Sequence, residues 1–263
     1  MHTTRPAAVA GQFYPAEPAV LQQTLDQLLA QPVEPLERPP RAIIVPHAGY
    51  PFSGQIAGRA YASLAPFHDH YDRVLLLGPA HRSYIPGMAV PRAGFFATPL
   101  GDVTIDSTEV AALAEHKTVH FNDEAHAHEH SLEVQLPFLQ QVLDDFHLIP
   151  VAVGDTDADS VKPVISRYWD KTRTLIVIST DLSHYLDYDS ACKLDALTGE
   201  AIAHLEPERI GNSQACGRIA LRALLSLARQ HHAHVTTLAM ANSGDSAGPR
   251  DRVVGYGAWL VSA

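Results

Sequence analysis

Two cysteines in 263 residues, Cys192 and Cys216, exclude a disulfide-rich scaffold. Neither sits in a CxxC or zinc-type spacing, and both fall in segments of helical pattern, so they read as free thiols inside helices. No apolar run approaches the roughly 18 residues that cross a membrane. The N-terminal stretch MHTTRPAAVAGQFYP carries one arginine and no signal-peptide core, which points to a cytoplasmic protein. Positive charge is scarce: 19 Lys and Arg against 29 Asp and Glu give a net charge of -10. That balance disfavours nucleic acid and anionic membranes as partners. No GxGxxG follows a strand, and there is no Walker sequence and no GxSxG elbow. Without a linker, repeat or low-complexity tract, residues 1–263 are expected to form a single domain.

Histidine is what the chain has in plenty. There are sixteen, with clusters at HAHEH (His126 to His130) and HHAH (His231 to His234). With 46% hydrophobic and 18% charged residues, a sizeable core is available. Apolar runs of strand length recur at 41–46, 73–78, 148–153, 174–179, 236–241 and 252–261. Most are apolar throughout rather than alternating, as in strands covered on both faces. Helical patterns lie at 17–31, 53–64, 107–116, 131–143, 159–168, 190–204 and 216–228. Asp106 with Glu109 looks like a cap of the third. Pro137 should kink the fourth or mark its real start. The alternation predicts an α/β fold with a largely parallel or mixed central sheet flanked by helices.

In such sheets ligands bind at the carboxyl ends of strands. The first core run ends in His47, the second in GPAHRS with His81, the fourth in TDLSHY with Asp181 and His184, the fifth in NSGDSAG with Asp245 and Ser246. Three of these four ends carry a histidine. Two imidazoles with a carboxylate would bind Fe(II), Mn(II) or Zn(II) and leave positions open for substrate. A further histidine would serve as acid or base near neutral pH. His130 follows Glu129 at the start of a helical pattern, with Glu133 on the same face. This places His130 within reach of a site. Asp181, Ser183 and His184 have the letters of a triad, but residues this close in sequence rarely form one, so a metal-independent hydrolase is the weaker reading.

The ordered motifs GQFYP, PHAGYPFSG, GPAHR, EHSLEVQLPFL, STDLSHY and NSGDSAG…RVVGYGA resemble the Memo-like proteins. Bacterial and archaeal members are also described as protein B of the AmmeMemoRadiSam system. The resemblance runs from Gly11 to the C-terminus. It implies a fold similar to class III extradiol dioxygenases, which hold non-haem Fe(II) with two His and a Glu and use another His as acid or base. Carried over, His47 and His81 match the imidazole ligands, His184 the acid/base histidine and Asp181 a site-lining acid. Eukaryotic Memo sequences place a cysteine where Ser246 stands here. Asp245 beside it would restore a carboxylate ligand, and Cys192 and Cys216 do not match that position.

The expected protein is thus a Memo-like one with a metal-capable cleft. Metal ligands are His47, His81 and Asp245 or Ser246, with His184, Asp181 and His130 as catalytic candidates. Fe(II) is the favoured cofactor, with copper or zinc as alternatives. One reading is an Fe(II)/O2-dependent redox enzyme. The other is a non-catalytic module that uses the cleft for a protein or small anionic ligand. The system name implies AMMECR1-type and radical SAM proteins as partners.

Overall fold

Strands whose side chains are apolar on both faces must be covered on both faces, and that decides the architecture. The computed structural model describes residues 3–262. The chain order is β1 (Thr4–Arg5), α1 (Pro18–Leu29), β2 (Ala42–Val45), α2 (Tyr50–Ala62), β3 (Arg73–Pro79), β4 (Met88–Val90), β5 (Phe95–Thr98) and β6 (Gly101–Thr104). Then come α3 (Ser107–Ala114), β7 (Val119–Phe121), α4 (Asp123–Ala127), α5 (His130–Glu133), α6 (Leu136–Val142), β8 (His147–Val153), α7 (Ala158–Trp169) and β9 (Thr174–Ser179). The chain closes with β10 (His184–Leu186), α8 (Tyr188–Ala203), α9 (Arg218–Gln230), β11 (His234–Asn242) and β12 (Val253–Ser262).

The main sheet runs in the order β10-β12-β2-β9-β3-β8-β4-β7, with β11 on the outer side of β12. The heart of it, β2-β9-β3-β8, is parallel, while β12 runs antiparallel to β2 and β11. A separate three-stranded sheet joins β1, β5 and β6. The expected mixed α/β domain is therefore the observed one. All six anticipated apolar runs are strands, and Ile43, Ile44, Leu75, Leu76, Ile176 and Val177 are fully buried in them.

Two helical expectations change in detail. The pattern at 131–143 divides into α5 and α6, and Pro137 falls in the first turn of α6, where its missing N–H costs nothing. The pattern beginning at Cys216 starts as a helix only at Arg218, so Cys192 lies inside α8 but Cys216 lies before α9. The Asp106 cap is present: its carboxylate accepts the Glu109 amide at 3.0 Å. Glu109 itself reaches across to Arg167 and Tyr168 of α7 and to Lys171 just beyond it.

The N-terminal segment is strapped to the rest by one buried carboxylate. Glu133 pairs with the Arg5 guanidinium and accepts from the Ala8 amide (2.8 Å), the Val9 amide (3.0 Å) and the Tyr14 hydroxyl (2.6 Å). Arg5 also donates to the carbonyls of His126 and Glu129, both at 2.8 Å. Glu133 is thus part of this strap and not of a cleft, a correction to its expected face. The strap carries Gln12 and Phe13 to the carboxyl ends of the sheet.

Candidate metal centre

The three adjacent parallel strands β2, β9 and β3 each present a side chain two residues beyond their last position. These are His47, Asp181 and His81. Because the strands are parallel neighbours in near register, the three side chains meet at one end of the sheet. His130 joins from α5, which approaches closely because residue 78 is glycine: a Cβ there would stand 2.7 Å from Ser131 Oγ. The Ser131 hydroxyl then donates to the Pro79 carbonyl at 2.9 Å. The rings of His47 and His81 have centroids 5.2 Å apart, and those of His81 and His130 stack at 4.8 Å.

A buried hydrogen-bond network assigns the tautomer of His47. The Ser179 hydroxyl donates to the Ser131 carbonyl at 2.6 Å and receives an N–H from Gln135 at 2.9 Å. Its one proton being committed, it accepts from His47 Nδ1 at 2.8 Å. His47 Nε2 is left with a lone pair. Gln135 is itself held by the Tyr61 hydroxyl and the Pro46 carbonyl. His81 is fixed in the same way by Glu129, whose Oε1 faces His81 Nδ1 at 3.1 Å and whose Oε2 accepts the His81 amide at 2.5 Å. A carboxylate behind an imidazole is a common way of orienting a metal-binding histidine. Burial works to raise the Glu129 pKa, but hydrogen bonds from His81 and Ser131 hold it at about 2.

The third group at this point is Cys216. Its Sγ lies 3.3 Å from His47 Nε2, and the ligand atoms of His47, His81 and Cys216 all fall within 4.8 Å of one another. The thiol accepts from the Asp181 amide at 3.3 Å. Gly217 lets α9 come this close, since a Cβ would stand 2.7 Å from the Ser179 carbonyl oxygen. This overturns the expectation that Cys216 is an inert helical thiol. Asp245 and Ser246 are not brought to the histidines. Asp245 accepts from the Tyr188 hydroxyl at 2.6 Å and from the Asn242 amide at 3.0 Å, capping the turn at Ser243–Asp245. Ser246 donates to the Ser243 carbonyl. The reason is topological: β11, which leads into this loop, is an edge strand separated from β2 by β12. Two strand spacings are about 10 Å.

The donor set suits a transition-metal ion. Burial first, then the neighbouring His81, pushes His47 down to about 3, and burial with His47 pushes His130 down to about 4. Both rings are therefore neutral at pH 7, as ligation demands. Burial and then the Asp181 carboxylate push the Cys216 thiol up to about 12, so a bound cation would have to displace its proton. His81, Glu129 and His130 form a second convergent trio.

Around these ligands lies a cleft of about 390 Å³. Asp181 and His184 line it, with Phe13, Phe52, Tyr185 and Val254 as its apolar wall. Asp181 accepts the His47 amide at 2.7 Å, and burial raises its pKa. His184 Nδ1 faces the Leu182 carbonyl at 2.8 Å. A carbonyl only accepts, so Nδ1 carries the proton and neutral His184 has a free lone pair on Nε2. The loop bearing His184 is held by a residue the sequence reading missed. Asp195 of α8 accepts from the Ser183 amide and hydroxyl at 3.0 and 3.1 Å. Ser183 is thus committed to Asp195 rather than to a triad with Asp181. Tyr185 completes the turn at a φ of 61°, a conformation costly for a non-glycine residue.

With the cleft's residues in place, the motifs that supply them can be compared with known families. The Memo-like protein family matches residues 5–260. The chain belongs to this family. A MEMO1 family protein of Methanosarcina acetivorans is 35% identical, over 98% of each chain. One from Aeropyrum pernix is 34% identical, over 98% of this chain and 99% of its own. One from Saccharolobus solfataricus is 32% identical, over 95% and 96%. These Memo relatives align over nearly their whole length, and the cleft residues from Gln12 to Val254, with Cys216, lie inside the family match. Among the described residues no helix is long and apolar enough to cross a membrane.

Proposed function

We propose that this Memo-family chain is a metal-dependent redox enzyme whose ion is held by His47, His81 and Cys216. The observation that carries the reading is the convergence of one thiol with two imidazole nitrogens whose rings line an open cleft. A nitrogen–sulfur set of this kind fits Fe(II), with copper and zinc as alternatives. An iron ion held by three protein ligands would supply an open coordination position and one-electron chemistry toward O2 or a bound substrate. The chain's own groups supply the rest. His184 Nε2 accepts a proton from a substrate in the cleft. Asp181, with its raised pKa, holds or returns one. Ser179 and Glu129 keep both ligand rings aimed.

A second reading is supported by the mouth of the cleft, where Tyr185 is 63% exposed and Phe52 39%. Exposed aromatics are enriched where proteins bind proteins. On this reading the cleft is a docking module for a protein, with AMMECR1-type or radical SAM partners as candidates. No Lys or Arg lines the cleft, which argues against a small anionic ligand.

The test is anaerobic reconstitution with Fe(II) or Co(II). The enzyme reading expects one ion per chain, a thiolate-to-metal absorption band with Co(II), and metal-dependent O2 consumption. A protein that takes up no ion under these conditions leaves the docking reading.

A further inference from the structure

Among the described residues, the buried Nδ1 of His130 has no hydrogen-bond partner. The nearest acidic oxygen, Glu129 Oε1, is 3.4 Å away, and the same oxygen is 3.1 Å from His81 Nδ1. The ligand atoms of His81, Glu129 and His130 lie within 4.8 Å of one another. Donors around a four-coordinate ion with bonds of about 2.0–2.1 Å stand roughly 3.3 Å apart. The two separations match that spacing. The 3.4 Å separation at His130 is longer than an ordinary N–H···O hydrogen bond. The buried His130 nitrogen is left without a partner beside a carboxylate already held by His81 and Ser131, and a cation bound to both would satisfy it.

We propose that His81, Glu129 and His130 form a second station for a divalent ion, alternative to the one at His47, His81 and Cys216. His81 belongs to both. With its proton on Nδ1, it bonds Glu129 and offers Nε2 to the Cys216 station. With its proton on Nε2, it offers the Nδ1 lone pair to an ion shared with Glu129 and His130. A neutral imidazole has one lone pair, so the stations exclude each other and the chain holds one ion at a time. The second station has only nitrogen and oxygen donors. It therefore suits an ion before thiolate capture, and it places a loading step behind the cysteine-containing site. This inference rests on the proposed metal reading and adds a path to it.

The stations are distinguished by Co(II) titration followed by absorbance and by metal content. Wild-type protein should bind one Co(II) with a thiolate band. Cys216→Ser should still bind one Co(II), without that band and at least ten-fold more weakly. Cys216→Ser with His130→Ala should bind none, whereas His130→Ala alone should keep the thiolate band, which also shows that this variant folds. The second station is overturned if Cys216→Ser binds no Co(II), or if the double variant binds as tightly as Cys216→Ser. A wild-type protein with no thiolate band would instead sink the metal reading on which both stations depend.

Discussion

Cys216 Sγ stands 3.3 Å from His47 Nε2 across 169 residues of chain. The pair joins the end of the first core strand to the start of α9. The shared ligand His81 should then be indispensable. His81→Ala is expected to abolish Co(II) binding, and Cys216→Ser to remove the thiolate band and weaken binding without abolishing it. Asp245→Ala should change neither, because Asp245 caps a turn at the sheet edge. Absorbance titration with metal analysis checks all three.

Ser179 offers no donor to the candidate metal centre itself, yet by accepting from His47 Nδ1 it sets which nitrogen of His47 is free. Ser179→Ala should weaken metal binding by about 10- to 100-fold, the usual effect of losing such an orienting partner. Competition with a chelator of known affinity measures it. An unchanged constant would mean that Gln135 and packing suffice to hold the ring.

Gly217 sits where any Cβ would press on the Ser179 carbonyl. Gly217→Ala should push α9 back and carry Cys216 away from His47. The thiolate band should be lost, at a cost of about 1–3 kcal/mol for the overpacking. Urea unfolding and the Co(II) spectrum separate the two effects.

Glu133 is fully buried, with Arg5 as its charge partner. Removing one member of a buried pair leaves the other uncompensated, at about 3–5 kcal/mol. Arg5→Met should therefore lower the urea midpoint markedly, and Glu133→Gln, which keeps some acceptor capacity, should lower it less.

His126 is buried against Phe96, its Nε2 3.1 Å from the Ala89 carbonyl and its Nδ1 unpartnered. Burial pushes its pKa down from 6.5 to about 4. Between those values the unfolded chain binds a proton that the native chain refuses, so stability falls as pH drops below about 6.5. The loss from this residue should be about 2 kcal/mol at pH 5. Urea midpoints at pH 7 and pH 5 test it. His126→Gln, which can still donate to Ala89, should show a flatter dependence.

What the sequence discloses follows what is local. His47, His81, Asp181 and His184 are legible because continuous apolar runs end just before them, and parallel strands bring such ends together. Cys216 is not legible by that rule, for it precedes a helix rather than following a strand. Its available signal is the Cys-Gly pair ahead of an amphipathic pattern, a place where thiols meet helix amides. Ser179, Gln135 and Asp195 look like ordinary strand and helix residues, and only tertiary contact shows whom they orient. The NSGDSAG loop misleads because it follows a strand like the others, and nothing in its residues discloses that β11 lies at the sheet edge beyond β12. Six short strands, β1, β4 to β7 and β10, escape notice since two to four residues carry too little periodicity.

The distance along the chain between His47 and Cys216 also sets an order of events during synthesis. When His47 and His81 leave the ribosome, the Cys216 thiol has yet to be translated, and so has β12, against which β2 must pair. Whatever ion the nascent histidines meet, they meet it without sulfur. On the proposed metal reading, capture by the full set belongs to a later stage of synthesis, and a chain terminated before Cys216 would have the imidazoles but not the thiol that favours a soft metal.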